Sequence, residues 1–272
     1  LGVVALPVAD GASADAAPVA RRANEAFTAA STIKVYVLQA LLEAVAAGDH
    51  ELDERVELRA EDQVTGSGVL KVLSPRTSYL LVDVATLMIV VSDNTATNLL
   101  IDLLGVERIR EVVAARGWTG TYVRGKLQVA AVTGDQKPSP SRTTPRDLAD
   151  YFARLWRGEL LPDDLTALAK RIYARQQFTE LGRAIGYDQY SAEIGESHLL
   201  IASKSGSVRG VRNDAGVIAV GAPGGERREV VVAVMTEGCP DRRFHAENLG
   251  AQVVGEATAA VLDALAPGWS RT

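Results

Sequence analysis

Ala30-Ser31-Thr32-Ile33-Lys34-Val35-Tyr36-Val37-Leu38 is the stretch on which the reading of this chain turns. Ile33, Val37, Leu41 and Val45 recur at helical spacing, and Gly48 supplies a C-terminal stop. The pattern predicts a helix with Ser31 and Lys34 at its start, three residues apart and so on one face. A serine hydroxyl is a poor nucleophile at neutral pH and needs a base within hydrogen-bond reach. A lysine buried beside it loses its proton more readily, because desolvation disfavours the charged form. The helix N-terminus would also direct N–H groups and positive dipole toward developing negative charge. Alone, the pair reads more simply as an N-cap serine and an exposed helical lysine, so its meaning depends on the rest of the chain.

Two further words supply that context. Ser92-Asp93-Asn94 separates apolar helical runs at residues 82–91 and 96–104, where its polar side chains would cap the second helix. Asp93 is expected to hold the turn by hydrogen bonds to backbone rather than to act as an acid or base. Lys204-Ser205-Gly206 ends the apolar stretch Leu199-Leu200-Ile201-Ala202, which reads as a strand. Gly206 would let a substrate approach the backbone closely, since no Cβ stands in the way.

In this order and at wide separations, the three words form the signature S-x-x-K, S-D-N and K-[ST]-G of active-site-serine β-lactamases and penicillin-binding proteins. The chain resembles that superfamily, and class A β-lactamases most closely. Leu87-Met88-Ile89 leading into the second word, Thr143-Thr144-Pro145-Arg146-Asp147 opening a helix, and Val211-Arg212-Asn213-Asp214-Ala215-Gly216 entering a strand extend the similarity over nearly the whole chain. The resemblance implies a catalytic group of Ser31, Lys34, Ser92 and Lys204. Ser92 would pass a proton between Lys34 and the leaving nitrogen, and Lys204 would place positive charge beside Ser92 and the substrate carboxylate. The backbone N–H groups of Ser31 and Ser207 would form the oxyanion hole, and Asn94, Ser205 and Gly206 would contact the substrate.

One family element is missing. Class A enzymes carry, between this chain's Gly117 and Thr143, an omega-shaped loop whose glutamate activates the water that hydrolyses the acyl-enzyme. Counting from the neighbouring motifs puts that position near Leu127 or Gln128, neither of which can be a base. The acid available between Glu111 and Asp147 is Asp135, whose Gly134-Asp135 setting reads as structural. The machinery for acylation is present, and deacylation is expected to be weak. Three classes of function follow: an acyl-transferring serine hydrolase on a β-lactam, amide or ester carbonyl; a penicillin-binding or DD-peptidase/esterase-type protein that acylates without efficient β-lactam turnover; and a non-catalytic binding relative. The complete set of Ser31, Lys34, Ser92 and Lys204 argues against the last.

The remaining features bound the answer. The chain has 272 residues, 47% hydrophobic and 23% charged, with a net charge of −5. These values suit a globular protein and give no basic face for nucleic acid. A single cysteine, Cys239, excludes an internal disulfide. His245 is its neighbour in sequence, but the histidines and the cysteine make no metal-ligand spacing, and neither metal nor cofactor is expected. Apolar runs are too short to span a membrane. A monomer acting on a small-molecule substrate (β-lactam, ester or peptide) is expected. A periplasmic or extracellular location is what the resemblance implies; the sequence begins at Leu1 without a charged, then apolar, then small-residue leader, as expected if a leader was removed or if the sequence starts inside a longer protein.

Strand patterns at both ends and helical patterns between predict an α/β (α+β) fold: an antiparallel five-stranded sheet flanked by helices, plus an inserted all-α lobe. Residues 1–47 and 199–272 would form the α/β lobe and 48–198 the all-α lobe, in one compact two-lobed unit with the site in the cleft. Residues 1–8 and 19–27 read as a hairpin; 199–205, 216–220 and 229–236 read as three further strands; 241–265 reads as a long covering helix; and 137–140 reads as a mobile loop.

Overall fold

Residues 230–235, Val-Val-Val-Ala-Val-Met, build the centre of the molecule. In a computed structural model describing residues 1–8, 19–127, 140–221 and 226–270, this run lies in strand β9 (Arg228–Met235). Val231, Ala233 and Met235 face one apolar cluster and Val230, Val232 and Val234 the other, the two-residue alternation of a pleated strand. Both faces are covered, so the run is apolar throughout. Strand β1 (Gly2–Pro7) pairs antiparallel on one side of β9, and β8 (Val211–Val220) on the other. Strands β2 (Val19–Arg21) and β7 (Leu199–Val208) complete an antiparallel five-stranded sheet of order β2-β1-β9-β8-β7. The first and last parts of the chain therefore meet side by side, and the expected α/β fold is present.

Helices cover both faces. Helices α1 (Lys34–Ala46), α2 (Leu81–Val90), α3 (Asn94–Leu104), α4 (Val106–Ala115), α5 (Pro145–Trp156) and α6 (Asp163–Ala174) contribute to the larger cluster. A one-turn helix, α7 (Gln189–Glu193), precedes β7, and α8 (Leu249–Leu265) packs Val254, Ala259, Val261 and Leu262 on the other face. The start of α5 has the anticipated chemistry: Thr144 Oγ1 accepts from Asp147 N (3.0 Å) with Pro145 in the first turn. No described helix is long and apolar enough to cross a membrane.

Three local expectations differ from the structure. The second strand of the first hairpin stops at Arg21, because Arg22 takes a left-handed φ of 47° and breaks the ladder. Phe27–Thr28 (β3) then leaves the main sheet to pair with Arg142–Thr143 (β6). Within the stretch expected to be mostly helical, β4 (Arg55–Leu58) and β5 (Thr77–Leu80) form a small ladder of their own. The last helix starts at Leu249 rather than near residue 241, because polar side chains satisfy the preceding backbone. Asn248 Nδ2 donates to Asp241 O and Arg243 O (both 3.0 Å), while its Oδ1 accepts from Gly250 N (2.9 Å) and Ala251 N (3.2 Å). Asn248→Ala should therefore lower stability by about 2 kcal/mol, a strong cap's contribution, as read by urea denaturation; an unchanged midpoint would remove this cap from the account.

Candidate active site

Ser31 lies in a 3-10 turn, Ala30–Ile33, that leads directly into α1, and Lys34 is the first residue of the α-helix. The turn is entered through Ala30 at φ 49°, a left-handed conformation that costs an L-residue roughly 1–2 kcal/mol. Ser31 is partly exposed, whereas Lys34 is fully buried. The segment before the serine is pinned to the sheet by Asn213 on β8, whose Nδ2 donates to Thr28 O (2.9 Å) and Ala29 O (3.2 Å) and whose Oδ1 accepts from Thr236 N (2.9 Å).

The first and second words of the motif are joined by the lysine. Lys34 Nζ donates to Ser92 O (2.6 Å), Asn94 Oδ1 (2.9 Å) and Ser92 Oγ (3.1 Å). Ser92 has φ 54°, the second left-handed non-glycine residue in the site, and this turn presents its carbonyl to both Lys34 and Ser67 Oγ (2.7 Å). Asp93 has the structural role expected of it. Its Oδ1 caps α3 at Ala96 N (2.9 Å), and its Oδ2 accepts from Val69 N (2.6 Å) and Leu70 N (2.8 Å). Gly68 must be bare for that arrangement, since a Cβ there would stand 2.2 Å from Asp93 Cγ.

The third word approaches from the sheet. Lys204 is fully buried on β7 and donates to Ser205 O (2.8 Å). Ser205 Oγ accepts from Gln176 Nε2 (3.2 Å), a residue that sequence reasoning did not single out. At Gly206 the structure differs from the expectation of room for substrate. A Cβ would lie 2.7 Å from Thr32 N and 2.8 Å from Ser31 N, so what fills the space over the bare Cα is the nucleophile's own backbone. Gly206 thus sets the distance between β7, which continues to Ser207, and the serine turn.

Burial governs the charges. The Lys34 amine is held well below the usual lysine range by desolvation and then by the positive charge of Lys204, with Asp93 opposing. Lys204 is pushed down to about 7 by burial, with Asp214 opposing. Asp214 is itself raised to about 6 by burial, against the N–H groups of Leu181 and Glu180 and the Thr179 hydroxyl.

The loop expected to hold a deacylating base is tied to α3 at its last described residues, by Lys126 Nζ to Asp102 Oδ2 (2.6 Å) and by a side-chain clamp on Leu127. Asn98, one helical turn after Asn94 on α3, donates from Nδ2 to Leu127 O (2.8 Å) and accepts at Oδ1 from Leu127 N (2.7 Å). Gln128, Asp135 and the segment 137–139 lie outside the described residues. Two other features stand apart from the motifs. His245 Nδ1 accepts from Glu247 N (3.1 Å) and its Nε2 is 3.4 Å from Asp241 Oδ2, so its polar neighbours are these rather than Cys239. A cavity of about 400 Å³ lies between residues 116–120 and α5, lined by Arg116, Trp118, Asp147, Asp150 and Arg154. Its carboxylates are engaged within it: Asp150 accepts from Trp118 Nε1 (2.8 Å) and Arg154 (3.3 Å), and Asp147 from Thr121 Oγ1 (2.7 Å).

Removing the Asp93 carboxylate would leave three backbone N–H groups without their acceptor, each worth about 1–3 kcal/mol when buried. Asp93→Ala should therefore destabilise the protein by about 3 kcal/mol or more, measured by thermal or chemical unfolding. A loss of activity with unchanged stability would instead give Asp93 a role in the chemistry.

Comparison with known proteins places this geometry among relatives. Residues 2–265 match the family model described as the beta-lactamase enzyme family. The chain is 30% identical to Beta-lactamase 1 of Streptomyces cacaoi over 97% of its own length and 79% of that protein's. It is similar in structure to a β-lactamase from Sphaerobacter thermophilus (31% identity, TM-score 0.79, covering 97% of this chain and 90% of that one). It is likewise similar to PBP-A (28% identity, TM-score 0.78, covering 97% and 88%). A leucine-to-glutamate mutant of PBP-A has been seen as an acyl-enzyme complex with penicillin G (28% identity, TM-score 0.74, covering 96% and 90%).

Proposed function

Because the chain belongs to the beta-lactamase enzyme family, we propose that it is a serine hydrolase that acylates Ser31 with β-lactam, amide or ester carbonyls and releases β-lactam acyl groups slowly. The observation that carries this reading is the Asn98 clamp: one turn after Asn94 on α3, Asn98 holds the backbone of Leu127, whose side chain has no group to activate water.

The chemistry runs through residues already placed. Ser31 Oγ attacks the carbonyl carbon, and its proton passes to the neutral Lys34 amine, whose depressed pKa makes the free base accessible. The negative charge that develops on the carbonyl oxygen is met by the N–H groups of Ser31 and Ser207. Of the three oxygens around Lys34 Nζ, the Ser92 hydroxyl is the one able both to accept and to donate. It is suited to relay the proton from Lys34 to the leaving nitrogen. Charged Lys204 supplies the attraction for a substrate carboxylate, with Asn94 and Ser205 bounding the substrate site and Gly206 holding β7 against the serine turn. Deacylation requires a second proton abstraction, from water, and among the described residues Lys34 is the candidate to recover that role after acylation. A bulky acyl group obstructs that water more than a small ester or peptide does, so small esters and peptides are the better substrates for turnover.

The pH dependence has two limbs of opposite sign. Acylation rises with pH as Lys34 loses its proton. For an anionic substrate it falls again above about 7, as Lys204 loses the charge that binds the carboxylate. Stopped-flow acylation against pH should give a bell for a carboxylate-bearing β-lactam and a single rising limb for a neutral ester; a rising limb alone for both would contradict the Lys204 assignment.

Substitution separates base from nucleophile. Lys34→Ala should slow acylation by about 10² to 10⁴, a positioned base's usual contribution, and an unchanged rate would defeat that role. Leu127→Glu restores a carboxylate where the loop meets α3. It should speed loss of the acyl group in a pulse-chase by about 10² or more, whereas no gain would disconnect Leu127 from the slow step.

A further inference from the structure

Asp214 is a buried carboxylate that the proposed mechanism does not use. On the β7–β8 ladder Ser205 stands opposite Asp214, and Lys204 stands opposite Ala215. Successive side chains point to opposite faces, so Lys204 and Asp214 lie on opposite sides of the same two strands. Ala202 and Ala215, on the Lys204 side, pack in the cluster that contains α1. Ile201 and Ile218, on the Asp214 side, pack in the cluster that contains α8. The carboxylate thus lies on the other face of the sheet from the Lys204 side chain, one position along the ladder from it.

Among the described residues its contacts lack a cation. Oδ2 accepts from Glu180 N (2.6 Å), Thr179 Oγ1 (3.0 Å) and Leu181 N (3.1 Å), while Oδ1 has no hydrogen-bond partner among the described residues. The charged groups around it are otherwise engaged. The Glu180 carboxylate pairs with Arg183 (2.8 Å), and the Arg212 guanidinium donates to Val208 O, Val211 O (both 2.8 Å) and Arg243 O (2.6 Å). Lys204 is in the mirror-image position: it is fully buried, donates to a neutral carbonyl, and is opposed across the site by Lys34 on α1. A buried lysine facing another amine tends to lose its proton unless negative charge is supplied from elsewhere. The Asp214 carboxylate is the charge acting on Lys204 in that sense.

We propose that Asp214 is a positioning residue for substrate selection: from behind the sheet its carboxylate keeps Lys204 in the charged form, so the enzyme favours substrates bearing an anionic group over their neutral counterparts. This rests on the role given to Lys204 above. The same carboxylate also sews residues 179–181 to the sheet, and the test must separate the two roles.

Penicillin G and its methyl ester differ in the charge that Lys204 would read. Second-order acylation rates for both, from pH 5 to 9, should be compared in the wild type, Asp214→Asn, Lys204→Ala, Lys204→Arg and the Lys204→Arg/Asp214→Asn double variant. Asparagine keeps an oxygen to accept the three bonds and removes the charge. For penicillin G at pH 7, Asp214→Asn should lose roughly three- to ten-fold, with the falling limb moved to lower pH. The methyl ester, which feels Lys204 only through Lys34, should lose less than the acid, and the wild type and variant should converge at pH 5. An arginine at 204 stays charged, so the Asp214→Asn penalty should vanish in the Lys204→Arg background. Should Asp214→Asn fail to fold, Thr179→Val removes one donor to the carboxylate and should move the limb the same way by less. Equal losses on acid and ester, an unmoved limb, or a penalty that persists beside arginine would overturn the proposal and leave Asp214 a structural staple. If Lys204→Ala leaves the preference for the acid intact, the failure lies in the Lys204 assignment itself.

Discussion

A lysine amine with no access to water, held against three oxygens of one turn, is the constraint around which the site is organised. Lys34 Nζ reaches Ser92 O, Ser92 Oγ and Asn94 Oδ1, so the start of α1 and the start of α3 cannot shift independently. Satisfying that amine fixes the Ser92 turn in a left-handed conformation. The same turn is locked from the other side by Asp93, which ties in residues 69 and 70. Burial also bears on the proposed chemistry, since the desolvation that penalises the ammonium makes the free base accessible at lower pH than for an exposed lysine. The arrangement has a thermodynamic consequence of definite sign. Lys34 and Lys204 both have folded pKa values below those of the unfolded chain. The folded state binds fewer protons, and their contribution to stability grows as pH rises from the folded values toward the ordinary lysine range.

The sheet contributes the opposite wall, and it does so by leaving atoms out. At Gly206 the missing side chain lets β7 lie against the N–H groups of Ser31 and Thr32. Asn213 holds Thr28 and Ala29 from the next strand. The serine turn is thereby gripped from both sides, while Ser31 itself remains partly exposed. Behind the sheet, the buried carboxylate of Asp214 opposes the loss of the Lys204 proton, as Asp93 opposes that of Lys34. In the proposed mechanism one buried lysine works as a base and the other carries charge, and their environments differ accordingly: Asp93 acts on Lys34 and Asp214 on Lys204.

Much of this was legible from the chain because its informative residues are close in sequence. The S-x-x-K, S-D-N and K-S-G words, the capping role of Asp93 and the Thr144-Pro145 helix start depend on neighbours a few residues away. Strand alternation in residues 199–236 is likewise a local pattern. What the sequence did not disclose depends on distant partners. The β3–β6 and β4–β5 ladders are two and four residues long, too short for a periodic signal. The pairing of Asn98 with Leu127 joins residues that no local spacing relates, and Asn213 and Asp214 are polar positions in a strand whose role appears only once residues 28–29 and 179–181 arrive beside them. The 3-10 turn at Ser31 was missed because Ile33, Val37 and Leu41 carry the helical period without marking where the tighter turn gives way to the α-helix. The late start of α8 was missed because Asn248 competes as a cap with a helical pattern that extends upstream of it.

The central claim is that Ser31 is acylated faster than it is freed, and the mass of the intact protein reads that balance directly. After brief incubation with excess penicillin G and removal of free drug, the account predicts one adduct of the full penicillin mass. Peptide mapping should place it on Ser31, and it should persist long after the drug is gone. A protein that returns at once to its unmodified mass while the penicillin is consumed would contradict the account, as would an adduct on any other residue.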